Sequence, residues 1–179
     1  MTVLRGLSHV IFMSTAVLFV VSPGPGTAQE LLPAVEVRQT SWIGEFWPGD
    51  FDGDGVTDLA VRHAGARVLA VAQGNGDGSF GDPILSATDG WPLAVGDLNR
   101  DGRLDLVAMA GEAVVVLPGN GDGALGAPRT IIEADPTFAV VADMDGDGHR
   151  DVAVGEHADS LHVVPGNGDF TFRPRMTMT

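Results

Sequence analysis

The chain has 179 residues, a formal net charge of -14 and no cysteine. That length suits one domain or a short repeat array, and the missing cysteine excludes a disulfide framework or a lipid-bearing N-terminal cysteine. Every basic residue is arginine and no basic patch stands out, which argues against nucleic acid or an anionic membrane surface as a partner.

Residues 1–28 read as a secretory signal peptide. Arg5 and His9 provide its start, Val10 to Val21 its apolar core, and Pro23 and Pro25 its end, with Gly26-Thr27-Ala28 offering small residues for cleavage before Gln29. The apolar run is about 12 residues, shorter than the ~20 that a spanning helix needs. The expected location is therefore outside the cytoplasm: secreted, on the cell surface or in a periplasm. Residues 29–41 form an N-terminal segment in which Pro33 to Arg38 reads as an extra outer strand.

From residue 42 onward the chain repeats. An aspartate-rich loop occurs three times, its first residues 47 and then 46 positions apart. The copies run Asp50 to Asp58, Asp97 to Asp105 and Asp143 to Asp151, each of the form D-x-[DN]-x-D-G-x-x-D. They hold four, three and four carboxylates, eleven of the chain's 24 acidic residues. Oxygen side chains at positions 1, 3, 5 and 9 can converge if the backbone curls, which the glycine at position 6 permits, and position 7 then offers its carbonyl. Hard oxygen donors at this density suit Ca²⁺ better than Mg²⁺, which demands a tighter octahedron. The expected ligands are Asp50, Asp52, Asp54, Val56 and Asp58 in the first loop, and Asp97, Asn99, Asp101, Arg103 and Asp105 in the second. Asp143, Asp145, Asp147, His149 and Asp151 form the third set. Val56, Arg103 and His149 would contribute only backbone oxygen. About three Ca²⁺ sites result. The middle one should be weakest, because Asn99 replaces a carboxylate and Arg100 and Arg103 sit inside the loop. The competing reading is an ordinary Asp/Gly turn. An EF-hand is a poor fit, since position 12 is Val61, Ala108 or Val154 instead of glutamate.

Short Val-rich runs flank each loop, as in Pro92 to Val95 before the second and Asp105 to Ala108 after it. A further run follows (Val68 to Val71, Val114 to Leu117, Leu161 to Val164), then a Gly-Asn-Gly-Asp turn signal at Gly74, Gly119 and Gly166. Outer segments are expected at Phe80 to Ala87, Leu125 to Ile132 and Phe170 to Met176. Runs of this length and composition read as strands, and the turn signal as a tight hairpin connection. Each repeat, about 42–87, 88–133 and 134–179, thus holds four short antiparallel strands. The expected fold class is all-β, a β-propeller-type array of three four-stranded blades that makes an incomplete propeller.

The phrases Gly49 to Gly55 with Asp58 to Val61, and Gly74 to Phe80, resemble the FG-GAP/VCBS repeat family that also builds the propeller of integrin α subunits. Gly96 to Asn99 with Asp101-Gly102, Gly119 to Gly123, Asp143 to Asp151 and Gly166 to Asp169 repeat the pattern, so the resemblance covers roughly residues 33–176. It implies a Ca²⁺ ion inside each blade and a role in adhesion, ligand binding or scaffolding. Family propellers commonly have seven blades. Three blades leave two open flanks, so a homo-oligomer that closes the ring is expected, the rival reading being a truncated product or an open array.

The leading functional expectation is a non-enzymatic Ca²⁺-binding module for an extracellular protein or glycan. The alternatives are a lectin-like or polysaccharide-active propeller and a purely structural cassette. Trp42, Trp47 and Trp91 can serve either as core between blades or as stacking platforms for sugar rings. No catalytic residue is assigned: G-x-S-x-G and H-E-x-x-H are absent. The unassigned acids Glu36, Glu45, Glu112 and Glu133 are the remaining candidates for an acid/base pair.

Overall fold

The computed structural model of the chain describes residues 46–63, 68–157 and 160–178. The expected signal peptide, the N-terminal outer strand, Trp42, Glu36 and Glu45 lie outside the described residues. Twelve strands are described: β1 (Phe46–Gly49), β2 (Asp58–His63), β3 (Val68–Ala72), β4 (Ile84–Leu85), β5 (Trp91–Gly96), β6 (Asp105–Ala110), β7 (Ala113–Leu117), β8 (Arg129–Glu133), β9 (Pro136–Ala142), β10 (Asp151–Glu156), β11 (Leu161–Val164) and β12 (Met176–Met178). They form three four-stranded antiparallel sheets, β1-β2-β3-β4, β5-β6-β7-β8 and β9-β10-β11-β12. The first strands β1, β5 and β9 lie beside one another in that order, as the inner strands of successive blades do. Each Asp loop joins the first strand of a sheet to its second, so all three loops emerge at equivalent places.

The outer strands start later than expected, and β4 and β12 are only two and three residues long. The cause is a proline before each of them: Pro83, Pro128 and Pro174. Proline has no N–H to give to a ladder, so pairing begins only after it. Ahead of each proline a single bridge remains, Gly74 with Phe80, Gly119 with Leu125 and Gly166 with Phe172.

The middle strands are buried along most of their length in all three sheets, and the second blade has a neighbour on each side. Between the first and second blades, Phe51, Ala60, Leu69 and Val71 pack against Leu106, Ala108, Val115 and Leu117. Between the second and third, Leu98, Val107, Val114 and Val116 pack against Ala139, Val152, Val154 and Val164. Glycine sets how closely the blades approach. A Cβ on Gly96 would fall 2.6 Å from Val141 Cγ1, and one on Gly49 would fall 2.5 Å from Leu104 Cδ1. Ala142 takes the equivalent position in the third blade, after which no further sheet is described. Trp47 is partly buried against the core between the first two blades, and its indole Nε1 donates to the Leu93 carbonyl of the next blade at 2.7 Å. Trp91 is instead 44% exposed, with the Arg62 guanidinium 4.3 Å above its ring.

The array is open. The side chain at loop position 2 plugs into the following blade, leaving Phe51 2% and Leu98 1% exposed, whereas Met144 is 41% exposed. Around Met144 a groove of about 340 Å³ runs past Ala153, Leu161, Val163, Met176 and Met178.

Candidate metal centre

The carboxylate at loop position 9 is the anchor of each unit. Asp58, Asp105 and Asp151 are 0–1% exposed. In every copy one oxygen accepts the backbone N–H of loop position 2 at 2.8 Å (Phe51, Leu98, Met144). The other accepts the N–H of the turn glycine at 2.9 Å (Gly74, Gly119, Gly166). One side chain therefore ties the Asp loop to the Gly-Asn-Gly turn some fifteen residues later. The glycine is required for this approach: a Cβ on Gly119 would collide with the Leu104 carbonyl, and one on Gly166 with that of Arg150. Burial pushes the Asp105 carboxyl up to about 6, against the downward pull of its two backbone donors. Asp58 is raised for the same first cause.

The rest of each loop is braced by its own acids. Asp50 accepts the N–H of Gly53 at 2.7 Å and of Gly55 at 3.0 Å, and Asp143 repeats this with Gly146 and Gly148 at the same distances. At position 5, Asp54, Asp101 and Asp147 accept the N–H of Val56, Arg103 and His149 at 2.7, 2.9 and 2.8 Å. Position 7 is thus fixed through its amide. An ionised carboxylate has about four lone-pair sites, so these bonds leave acceptor capacity for a cation.

Two clusters could hold a metal ion: Asp50, Asp52 and Asp58, and Asp143, Asp145 and Asp151, with one oxygen from each member within 4.8 Å of the others. Carboxylate oxygens are hard donors of the kind that Ca²⁺ takes, so the chemistry of these sets suits that ion. Asp54 and Asp147 belong to these loops but not to the three-acid clusters. The second loop is arranged differently. Asn99 Nδ2 donates to Asp101 Oδ2 at 2.9 Å, and Asp97 takes the N–H of Asp101 and Gly102.

Two neighbours that the sequence reading missed also reach the clusters. Gln73 Nε2 donates to Asp52 Oδ2 at 2.7 Å. Arg173 places one nitrogen 2.7 Å from Asp145 Oδ2 and 2.9 Å from Asp147 Oδ2, and this contact holds the Asp145 carboxyl below its usual range. The positions equivalent to Arg173 are Gly81 and Gly126, so among the described residues the third loop alone carries a tethered cation. Arg173→Gly should raise the divalent-cation affinity of the third loop modestly, because an exposed pair is screened by solvent. Calorimetric titration would measure it, with the amide signals of Gly146 and Gly148 reporting that loop. Unchanged affinity would mean that Arg173 does not compete.

Among the described residues, no other group of three acids or histidines is close enough to share an ion. His162 is buried between Thr177 Oγ1 at 2.9 Å and Glu156 Oε2 at 3.0 Å, where it joins the two outermost strands to the end of β10. Glu112 and Glu133 are exposed.

The profile of the FG-GAP-like repeat matches residues 50–108, from the first Asp loop through the second and into β6. This segment is an FG-GAP-like repeat. The third blade continues the same strand order and loop bonding beyond the matched residues. Among solved structures the chain is similar to an Agrocybe aegerita lectin described for its specific recognition of non-reducing terminal N-acetylglucosamine. The TM-score is 0.58 at 21% identity, covering 78% of this chain and 39% of the lectin chain. That likeness shows a propeller-type fold. No curated protein matches the sequence.

Proposed function

We propose that this chain is an exported, non-enzymatic binding module that Ca²⁺ staples together and that recognises glycan. The observation carrying the proposal is the convergence of Asp50, Asp52 and Asp58, and of Asp143, Asp145 and Asp151, at equivalent places on propeller-type blades. Ca²⁺ in the loops would neutralise their mutual repulsion and hold the blade ends in shape, as bound ions do in extracellular modules. Asp50, Asp52 and Asp58 would hold it in the first loop, and Asp143, Asp145 and Asp151 in the third. Asp97, Asn99 and Asp105 would form a weaker set in the second. The glycan reading is supported by the fold shared with a lectin, which is an analogy of fold. It is also supported by the exposed ring of Trp91. Export rests on residues 1–28. No helix among the described residues is long and apolar enough to cross a membrane.

A glycan array probed with the purified chain tests this reading. Binding in Ca²⁺ that chelator abolishes is the expected result, and no binding to any glycan overturns it.

The same proposal has a second copy cover the open face at Met144. Two three-bladed copies make six blades, within the four to eight of closed propellers, whereas three copies overshoot. The partly buried Phe46 and Phe80, packed over Leu59, Val61 and Ala70, are the surface that would meet it. Sedimentation with Ca²⁺ should show a dimer that Met144→Asp converts to monomer. A wild-type monomer at every concentration removes the self-association.

A further inference from the structure

A cleft of about 470 Å³ opens between the second and third Asp loops, lined by Asp97, Arg100, Gly102, Asp143, Gly148 and Arg150. Its two arginines stand out in a chain of net charge -14. Seven arginines are described. Arg62 pairs with Asp89, Arg173 with Asp145 and Asp147, Arg175 with the Glu133 carbonyl, and Arg129 lies over the Phe170 ring. Among the described residues, the side chains of Arg100, Arg103 and Arg150 have no ion pair, hydrogen bond or ring contact. Two of these three face the same cleft.

Arg100 is also held in an unusual conformation. It has φ 64, in the left-handed region, at loop position 4, where the other loops carry Gly53 and Gly146 with φ 80 and 78. A non-glycine residue there costs roughly 1–3 kcal/mol, and such strain concentrates at functional sites. The side chain crosses to the third blade: a Cβ on Gly168 would fall 3.0 Å from Arg100 Cδ. The second loop therefore places a charge over the boundary between blades where the first and third place none.

We propose that this cleft binds an anionic group on a glycan, a carboxylate or a sulfate ester, between Arg100 and Arg150. Each guanidinium offers a planar fork of N–H donors that matches such a group in bidentate fashion. Asp97 and Asp143 in the same cleft head their loops, so this inference rests on the Ca²⁺ reading. With cations bound, their charge is neutralised and the arginines set the sign of the cleft. Without cations, the aspartates oppose an anion. Binding is therefore Ca²⁺-dependent.

The test is calorimetry of the full chain with an oligogalacturonate, a sulfated oligosaccharide and an uncharged oligosaccharide of equal length, in Ca²⁺ and in chelator. At least one anionic probe should bind at least tenfold tighter than the neutral one, and only in Ca²⁺; which one does so identifies the group. Arg100→Gly should weaken that probe at least tenfold while leaving Ca²⁺ stoichiometry unchanged. This variant installs the residue of the other two loops and relieves the backbone strain, so it keeps the fold. Arg150→Gln should weaken the same probe. Equal binding of anionic and neutral probes, undiminished binding by Arg100→Gly, or full anionic affinity in chelator each overturns the proposal. Binding of the neutral probe that ignores Arg100 would leave the glycan-binding module standing and remove only this cleft. Absence of any glycan binding would remove both.

Discussion

Asp105→Ala is expected to destabilise the protein by about 3–6 kcal/mol. The estimate assigns roughly 1.5–3 kcal/mol to each hydrogen bond that a carboxylate accepts, and Asp105 accepts two, from Leu98 and Gly119. Both donors belong to a buried junction that alanine would leave unsatisfied. A domain of this size is stable by only about 5–15 kcal/mol, so the loss is a large fraction of the whole. The penalty should depend on pH. In the folded chain the carboxyl titrates at about 6, and its ordinary value is 3.8. Between these values the folded state binds more protons than the unfolded state, so acidification stabilises the wild type through this group. That contribution is full below the unfolded value and is lost as the pH rises through the folded one. Denaturant unfolding of metal-free protein should therefore show the gap between wild type and Asp105→Ala widening from about pH 7.5 to about pH 5. A penalty under about 1 kcal/mol would mean that the carboxylate does not tie the loop to the turn.

Removal of Ca²⁺ is expected to lower the melting temperature by on the order of 20 °C. Each ion held at a hundred times its dissociation constant stabilises by about 2.7 kcal/mol, so three sites supply about 8 kcal/mol. A chain of this length shifts by roughly 2–4 °C per kcal/mol. Differential scanning calorimetry before and after chelation would read the shift, with Mg²⁺ as the control that should restore little of it. The second loop should release its ion first. Its carboxylates are fewer, and Asn99 Nδ2 already donates to Asp101. A melting temperature indifferent to chelator would reduce all three loops to braced Asp/Gly turns and withdraw the metal from the proposed function.

The loops and the blade pattern were both legible in the sequence because they are local. Positions 1 to 9 of each Asp loop are bonded chiefly among themselves, so their spacing alone exposes the turn. The Val-rich middle strands announce themselves because both their faces are buried. The outer strands were misjudged by several residues. Their apolar content outweighed the prolines that delay pairing, although Pro83, Pro128 and Pro174 were visible signals. Trp47 and Trp91 look alike as sequence. Only the neighbouring blade separates them, because it offers the Leu93 carbonyl to one and leaves the other at the surface.

The sequence by itself determined the repeat period, the four-strand unit and the placing of oxygen donors in the three Asp loops, since each follows from residue type and short-range spacing. The tertiary structure alone decided what the donors do. It buried Asp58, Asp105 and Asp151 beneath a turn some fifteen residues away, and it set Arg173 on the third loop from 26 to 28 residues off. It also brought Arg100 and Arg150, from different blades, to one cleft. Those juxtapositions depend on how sheets stack, and stacking is fixed by glycine-sized clearances and side-chain volumes between blades that no local pattern encodes.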